Sequence, residues 1–219
     1  MKREIFQTKD GSTSIHLPDW NESYHSKNGA IEEANHVFIK SGLSLLEGKS
    51  VSILEIGFGT GLNALITYNE HLKSHQTISY VGVEAYPVTL EEAFLMNYAE
   101  EINPDLKEVY QLLHTVDWDK EIAIDASFTF QKRNQFFEQI KDVDQFDLIY
   151  FDAFGFATQP ELWSEEIFKS MFTALKLQGI LVTYACRSVI KNNMIAAGFN
   201  IEKLQGAPGK REMLRGRKL

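Results

Sequence analysis

A strand that leads directly into a glycine-rich turn and a helix constrains this sequence more than any other feature. The apolar side chains of residues 51–56 predict a buried strand. Alternate glycines fill residues 57–61, and apolar residues from Leu62 onward recur at helical spacing. Glycines allow a tight turn and close approach, and the free N–H groups of a helix N-terminus point at a ligand. The stretch 51–64 therefore predicts the cradle of a nucleotide-like cofactor.

The spacing of the glycines distinguishes between cofactors. The dinucleotide-binding pattern G-x-G-x-x-G requires glycine at position 62, which is Leu62. The chain instead has Glu55-x-Gly57-x-Gly59-x-Gly61. This pattern resembles the first motif of the class I S-adenosylmethionine-dependent methyltransferases. In that family the acid shapes the pocket for the amino-acid end of the cofactor, and the glycines pass beneath it. An ordinary tight turn is the alternative.

A second acidic residue follows the next predicted strand, over residues 78–83, and is Glu84. A carboxylate at the end of the second strand of a nucleotide-binding α/β unit is placed to hold ribose hydroxyls. It does not distinguish S-adenosylmethionine from NAD, but it strengthens the prediction of a cofactor site. A solvated acid at a strand end is the alternative.

Strands and helices alternate along nearly the whole chain. The predicted elements are a hairpin at 4–16, a helix within 24–39 capped by Ser26 or Asn28, two helical segments in 88–114 broken near Asn103-Pro104, strands at 128–130, 146–152 and 180–185, helices at 136–140, from Ser164 and at 187–197, and a closing pair at 199–205 and 211–216. The alternation favours an α/β fold, a mostly parallel sheet with helices on both faces. We expect one domain over 1–219, with a hairpin and helix extension at 1–45 and a Rossmann-like core at 46–219.

Composition narrows the function classes. The chain has 219 residues, is 44% hydrophobic, and shows neither a membrane-length apolar run nor a signal-peptide core. The single cysteine, Cys186, excludes an internal disulfide and a multi-cysteine zinc site, so we expect a cytoplasmic protein. His71 and His75 have the spacing of a metal pair but lie in a polar stretch, which favours a solvated surface and no metal.

The charge is unevenly distributed. The formal net charge of −8 argues against a general nucleic-acid binder and against DNA. Residues 207–219 carry five basic side chains and one acid, a net +4, so the rest of the chain carries −12. Such an asymmetry suits a protein that accepts a polyanion at one basic edge. A solubilising basic tail is the alternative.

The loop after the strand at 146–152 is unusually rich in aromatic residues. It begins at Asp152, at the strand end where open α/β sheets bind ligands, and reaches Trp163. In one interpretation Asp152 caps a turn and the aromatic side chains fill the core. In the other, Asp152 faces the methyl group of the cofactor and the aromatics form a slot for a planar base.

Four segments together resemble the MnmC/MnmD family of tRNA methyltransferases. They are Tyr24…Ser26-Lys27-x-Gly29-x-x-Glu32-Glu33…Val37-Phe38, the stretch from Glu55 to Asn63, Asp152-Ala-Phe…Gln-Pro-Glu-Leu-Trp163, and Gly209-Lys-Arg-Glu-Met-Leu214. They occur in the order of the family and cover nearly the whole chain. The first and last are not general methyltransferase features.

The resemblance implies methyl transfer from S-adenosylmethionine to the 5-aminomethyl group of the tRNA wobble uridine, giving 5-methylaminomethyl-(2-thio)uridine. In fused members of the family a flavin-dependent oxidase follows. The chain ends at Leu219, so we expect no FAD, and a separate oxidase or upstream modification enzyme would supply the aminomethyl group. A methyltransferase for another amine or nucleoside, and a non-catalytic tRNA-binding scaffold, are the alternatives.

The resemblance and the charges define the predicted site residues. Asp152 is the expected catalytic base. The expected cofactor residues are Glu55, Gly57, Phe58, Gly59, Gly61, Asn63, Glu84, Trp118 and Asp152. The expected contacts with the anticodon loop of tRNA are the stacking residues Phe154, Phe156 and Tyr184 and the phosphate-binding residues Lys27, Lys210, Arg211 and Arg215.

Two positions depart from the family pattern. Phe156 stands where the family often has proline, which concerns the shape of the loop. No carboxylate follows the third strand in residues 131–134. The adenine contact is therefore left open between a backbone group, Asn134 and the stretch 117–119.

Overall fold

A large central sheet and a small N-terminal sheet organise the fold. The computed structural model describes residues 2–46, 48 and 50–219. The strands of the described residues are β1 (Glu4–Gln7), β2 (Thr13–Leu17), β3 (Glu22–Ser23), β4 (Val51–Ile56), β5 (Ile78–Glu84), β6 (Ile122–Ala123), β7 (Phe128–Asn134), β8 (Phe146–Phe151), β9 (Leu175–Thr183), β10 (Asn200–Gln205) and β11 (Glu212–Arg217). Strands β1–β3 form an antiparallel sheet, and the other eight form one sheet in the order β10-β11-β9-β8-β4-β5-β7-β6.

The centre of the large sheet is parallel. Strand β4 pairs in parallel with β5 on one side and with β8 on the other. The apolar residues on both faces of β4 are buried. The chain first builds outward from β4 through β5 to β7, then returns to β8 and builds the opposite half. Ligands of such sheets bind outside the carboxyl ends of the strands where the order reverses. That point lies between β4 and β8.

Helices cover both faces of the sheet. They are α1 (Ala30–Ala34), α2 (Leu62–Ser74), α3 (Leu90–Phe94), α4 (Tyr98–Ile102), α5 (Lys107–Thr115), α6 (Glu165–Ala174) and α7 (Ser188–Ala196). One hydrophobic core contains residues of α1, α2, α4 and α5, and a second contains residues of α6 and α7. The predicted α/β fold of a mostly parallel sheet between two helical layers is confirmed.

The predicted helix over 136–140 is wrong. Only a single 3₁₀ turn, Phe137–Gln139, forms there. Phe137 is buried, whereas Phe136 is 46% exposed. The backbone is extended at both Phe136 and Ile140, so the turn does not propagate into a helix on either side. The break near Asn103-Pro104 is confirmed, and residues 95–97 add a second break between α3 and α4.

The N-terminal hairpin is confirmed, and β3 adds a third strand that the sequence did not predict. Ile15 and Leu17 of β2 belong to the same core as α1 and α2. The expected caps of α1 are wrong: its N-cap residue is Gly29, without a side-chain cap. Asp10 of the hairpin turn instead accepts a hydrogen bond from the Glu32 N–H at 3.0 Å. A contact across 22 residues thus does what a local cap was expected to do.

His71 does not lie on a solvated surface, contrary to the prediction. It is buried at 4% exposure and bonds the Gln76 carbonyl at 2.6 Å and the Asp125 carboxylate at 3.1 Å. Among the described residues, no group of three or more histidine, cysteine, aspartate or glutamate side chains is arranged to hold a metal ion. No helix in the described ranges combines the length and apolar character needed to cross a bilayer.

The turn after β4 depends on a position that accepts only glycine. Gly57 has φ +89°, and a Cβ there would lie 2.7 Å from the carbonyl oxygen of Asp152. We expect Gly57→Ala to lower the free energy of unfolding by about 2–4 kcal/mol, since left-handed strain and a backbone clash add. Gly48, at φ +73°, is the matched control, because a Cβ there would meet no atom within 4 Å among the described residues.

The measurement is urea unfolding followed by circular dichroism. Gly48→Ala should cost only the conformational strain, about 1–2 kcal/mol. Equal losses for the two variants would show that the close approach of the two strand ends contributes nothing to stability.

Candidate active site

The glycine loop closes over the carboxyl end of β4. The N–H groups of Gly57 and Phe58 both donate to the Val83 carbonyl at 3.0 Å, which ties the loop to β5. Gly59 lies against the ring of Tyr24, since a Cβ there would be 3.2 Å from that ring. Gly61 is the N-cap residue of α2. The loop therefore presents bare backbone to the space above it.

Glu84 lies at the end of β5, beside this loop. Its carboxylate accepts hydrogen bonds from the Gly59 N–H at 3.0 Å and the Tyr86 N–H at 2.9 Å. The Asn134 side chain donates to the Glu84 carbonyl at 2.9 Å. Two backbone bonds fix the carboxylate at the strand end while each oxygen keeps a free acceptor position.

Asp152 follows β8 directly across the cleft from the loop. Its N–H donates to the Ile56 carbonyl at 2.9 Å, and its carboxylate accepts a hydrogen bond from the Asn63 amide at 2.8 Å. Burial, the largest influence, raises the pKa of Asp152 to about 7. The negative charge of Glu33 also raises this pKa, whereas the Asn63 hydrogen bond and the positive charge of Lys210 lower it. Such a carboxyl group can exchange a proton near neutral pH.

Glu55 lies behind the glycine loop and is completely buried. Its Oε2 accepts a hydrogen bond from the Tyr80 hydroxyl at 2.9 Å, and burial raises its pKa well above the ordinary range. Glu55 is not among the residues that line the cavity described below. Its contact with the cavity wall runs through Asn63, which does line it.

A cavity of about 1030 Å³ extends from the glycine loop to the N-terminal sheet. Carboxylates outnumber cations among its lining residues. The acidic ones are Glu22, Glu33, Glu84, Glu138, Asp152 and Glu161, and the basic ones are Arg3 and Lys210. This excess of negative charge favours cationic ligands.

The end of the cavity beyond Asp152 joins distant parts of the chain. Lys210 lies in the turn between β10 and β11 and forms an ion pair with Glu33 of α1. The ammonium group of Lys210 also lies 4.1 Å from the ring centre of Tyr184. The Tyr184 hydroxyl donates to the Ala153 carbonyl at 2.9 Å, beside Asp152. The cation predicted to contact phosphate is therefore inside the cavity.

Aromatic side chains form another part of this wall. Phe154 packs edge-on against Tyr24 and Trp20, with ring centres 5.0 and 5.8 Å apart. Trp20 is 37% exposed, so it lies at the mouth of the cavity. Phe154 is fixed because its carbonyl accepts a hydrogen bond from the Trp163 ring N–H at 2.8 Å.

Several predicted residues lie elsewhere. Phe156 is absent from the cavity lining and packs near Arg187, whose guanidinium is 5.6 Å from its ring centre. Trp118 lines a second, adjacent cavity of about 270 Å³, together with Lys132. Phe156 packs against the second hydrophobic core and Trp118 against the first, and the cavity beside Trp118 is also lined by Phe58 and Gly59 of the glycine loop.

Arg215 also departs from its expected position. It lies in β11, paired with Glu202 at 2.6 Å and bonded to the Ser41 carbonyl at 3.1 Å. Its side chain is only 12% exposed. This guanidinium is therefore paired within the fold, and its contact with a phosphate group stays a prediction. Lys27 and Arg211 are exposed and are chain neighbours of the cavity-lining Ser26 and Lys210.

Sequence reasoning missed part of the cavity wall. Trp20, Glu22 and Glu33 line it, and the sequence singled out none of them as a site residue. Glu33 lay within a motif segment, which was the one available signal. Trp20 precedes the third strand of the N-terminal sheet and Glu22 is the first residue of that strand, whose packing over the cleft no local pattern predicts.

The residues present fit the cofactor that the resemblance implies. The glycine loop leaves a backbone surface that Cβ atoms would obstruct, and Glu84 offers acceptors beside it. The acidic lining suits a sulfonium cation. Gly57, Phe58, Gly59, Asn63, Glu84 and Asp152 all line this cavity. Gly61 and Glu55 lie one layer behind it.

Comparisons with known proteins agree with this geometry. A protein of Marinomonas sp. strain MWYL1 named tRNA 5-methylaminomethyl-2-thiouridine biosynthesis bifunctional protein MnmC is 27% identical over 218 residues, covering 92% of this chain and 32% of that protein. The protein of that name from Leptospira borgpetersenii is 29% identical over 217 residues, covering 90% and 32%. The chain thus spans about a third of the length of these relatives.

Solved structures share the fold. The structure of MNMC2 from Aquifex aeolicus superimposes with a TM-score of 0.77 and 21% identity, covering 98% of this chain and 70% of that one. A spermidine synthase in complex with a transition-state analogue gives a TM-score of 0.58 at 13% identity, covering 99% and 73%.

A family model adds a direct assignment. The model, described as S-adenosyl-L-methionine-dependent methyltransferase, matches residues 95–219, more than half of the chain. The chain belongs to the S-adenosyl-L-methionine-dependent methyltransferase family.

Proposed function

We propose that this protein transfers the methyl group of S-adenosylmethionine to the 5-aminomethyl group of the wobble uridine of tRNA. The product is 5-methylaminomethyl-(2-thio)uridine. Relatives named for the biosynthesis of this nucleoside match over about 90% of the chain. They are bifunctional and about three times longer, so the proposal covers the methyl-transfer step alone.

The observation that carries the proposal is a convergence of two segments. Residues 24–33 and 209–214 carry the part of the resemblance that is not general to methyltransferases. They meet in one wall of the cavity, where Glu33 pairs with Lys210 next to Asp152. A wall built from family-specific segments on the far side of Asp152 from the glycine loop is where an acceptor would bind.

The chemistry of this wall suits an amine on a planar base. When bound, the cofactor supplies a methyl group that is already activated on a sulfonium, so the protein's task is to position the acceptor and exclude water. Glu33 and Asp152 favour a cationic ammonium group. Trp20 and Phe154 offer ring surfaces for a base splayed out of a single-stranded loop.

Asp152 acts as the base in this proposal. A primary alkylamine has a pKa near 10 by analogy with lysine, so only ~1 in 1,000 is neutral at pH 7. A carboxylate within hydrogen-bonding reach orients the amine and accepts its proton. Asn63 holds the Asp152 carboxylate toward the cleft through the bond at 2.8 Å.

A labelling experiment tests the reaction and the acceptor together. Methyl-labelled S-adenosylmethionine is incubated with two tRNA pools, one bearing unmethylated aminomethyl-uridine and one lacking aminomethyl-uridine. We expect label in methylaminomethyl-uridine from the first pool only, located by nucleoside digestion and mass spectrometry. Label in neither pool, with cofactor binding intact, would remove tRNA as the acceptor. Failure to bind the cofactor would favour a scaffold.

The raised pKa of Asp152 predicts a pH profile. A base must be ionised, and the pKa of Asp152 in the folded protein, about 7, lies above the ordinary aspartate value of 3.8. The acidic limb of kcat/KM should therefore fall as the pH drops through about 7, because protonated Asp152 cannot accept the proton. Asp152→Asn should lower turnover by roughly 100-fold and abolish that limb.

Saturating tRNA and cofactor separate this effect from binding. Turnover of Asp152→Asn within about threefold of the wild type, with the acidic limb retained, would contradict the role of base. Glu138→Gln, in another part of the cavity lining, serves as the control for a general loss of negative charge.

The basic rim predicts salt-dependent tRNA binding. Lys27 and Arg211 are exposed beside the cavity-lining segments, whereas Lys141 is exposed before β8, at the opposite end of the sheet. We expect Lys27→Glu and Arg211→Glu each to raise the KM for tRNA about 5–10-fold and to flatten its salt dependence by about one phosphate contact. Lys141→Glu should change neither, and no variant should alter the KM for the cofactor. Equal effects at all three positions would indicate a non-specific response to net charge.

A further inference from the structure

Three polar side chains behind Asp152 are closed off from solvent. Glu55, Asn63 and Tyr80 are 0%, 3% and 1% exposed. Tyr80 donates its hydroxyl to Glu55 Oε2 at 2.9 Å, and Asn63 Nδ2 donates to Asp152 Oδ2 at 2.8 Å. The chain of contacts therefore runs from β5 through β4 and α2 to the end of β8.

Two oxygen atoms within this chain have no partner. Glu55 Oε1 and Asn63 Oδ1 are both buried, and each lacks a hydrogen-bond donor among the described residues. The two side chains are within hydrogen-bonding reach of each other. Leaving a buried acceptor unsatisfied costs about 1–3 kcal/mol. A single proton between the two oxygens satisfies both.

The location of the negative charge decides which carboxyl group holds the proton. Among the described residues, the one side chain with a hydrogen bond to a Glu55 oxygen is the neutral Tyr80, and Glu55 has no contact with solvent. Burial is the largest influence on the Glu55 pKa and raises it, whereas Tyr80 and Asn63 act to lower it. Asp152 faces the cavity and accepts a hydrogen bond from the Asn63 amide, and the positive charge of Lys210 favours its ionised form. Two carboxyl groups that share one site do not ionise together, and the charge stays where it is better solvated. That position is Asp152.

We propose that Glu55 is protonated in the native protein and donates a hydrogen bond to Asn63 Oδ1, which fixes the amide so that Nδ2 points at Asp152. Glu55 and Asn63 are then positioning residues for the Asp152 carboxylate. If the amide turned over, Asn63 would offer an acceptor to Asp152 and hold it as the neutral acid. In this way Glu55, which precedes the glycine loop, influences the protonation state of Asp152, which follows β8.

The proposal rests on the proposed function in one respect, that Asp152 meets the acceptor amine. Other ionisable groups also face Asp152 from the elements around it. They are Glu33 of α1, Lys210 of the turn between β10 and β11, and Tyr184 after β9. The same three remain in every variant described below, so differences between variants report on Glu55 and Asn63.

Isosteric replacement separates a neutral Glu55 from an ionised one. Glu55→Gln keeps a donor next to Asn63 and an acceptor for Tyr80, so the acidic limb of kcat/KM should stay within about 0.3 pH unit and turnover within about threefold. Glu55→Ala removes the donor and should lower turnover at least tenfold, with cofactor affinity changed less. If Glu55 were ionised, Glu55→Gln would remove a neighbouring charge and move the limb to lower pH by about one unit or more, which would overturn the proposal.

Infrared spectroscopy tests the protonation state without any reaction. The protein carries isotope-labelled glutamate, and spectra are recorded at neutral pH, where an ordinary glutamate is ionised and the label distinguishes glutamate from Asp152. We expect an isotope-sensitive carboxylic-acid carbonyl band in the wild type and in Asp152→Asn, and its loss in Glu55→Gln. A wild-type spectrum without the band would overturn the proposal even if Glu55→Ala failed to fold.

The two proposals fail in different ways. Absence of methyl transfer to aminomethyl-uridine, with the band present and dependent on Glu55, would reject the acceptor while the assignment of the proton stood. Methyl transfer without the band would do the reverse.

Discussion

The fold of the site depends on one close approach, between the backbone of Gly57 after β4 and the carbonyl of Asp152 after β8. A Cβ at Gly57 would lie 2.7 Å from that oxygen. The two strand ends can meet only because the side chain is missing, and their meeting brings the glycine loop within reach of Asp152. Asn63, the second residue of α2, then links the helix that follows the glycine loop to Asp152 by donating its side-chain amide to the carboxylate. Cofactor loop and acceptor-side carboxylate are therefore parts of one rigid junction at the reversal of strand order.

Local patterns predicted the elements of this junction but not its outer wall. Strand β4, Glu84 and Asp152 could be read from the sequence because apolar runs and strand-end acids act over a few residues. The predicted helix at 136–140 was wrong because the backbone is extended at both Phe136 and Ile140, which the apolar spacing alone does not show. The role of Asp10 in capping α1 could not be predicted, since its partner lies 22 residues away.

The charged residues show the same limit more sharply. A basic cluster near the end of the chain indicated contacts with a polyanion, and composition cannot say which cations are already paired. Lys210 pairs with Glu33 inside the cavity, and Arg215 pairs with Glu202 in the sheet. Only contacts between distant parts of the chain decide that Lys210 lines the cavity, that Arg215 is paired within the sheet, and that Arg211 is exposed at the rim. In the proposed function, the acidic cavity beneath the rim would accept the cationic aminomethyl group, and the basic rim would contact the tRNA that carries this group.

The environment of Asp152 also bears on the proton transfer that the proposed reaction requires. An alkylammonium with a pKa near 10 faces a gap of about six units to an ordinary aspartate, which makes proton transfer uphill by about 8 kcal/mol. With the pKa of Asp152 raised to about 7, the gap is about three units, or about 4 kcal/mol. Burial supplies most of this rise, and Lys210 limits it. If the pKa of Asp152 were raised much further, Asp152 would be protonated at neutral pH and could not accept a proton. The proposed neutral Glu55 acts against such a rise, because it keeps the Asn63 amide donating to Asp152. The Asn63 hydrogen bond favours the ionised form of Asp152.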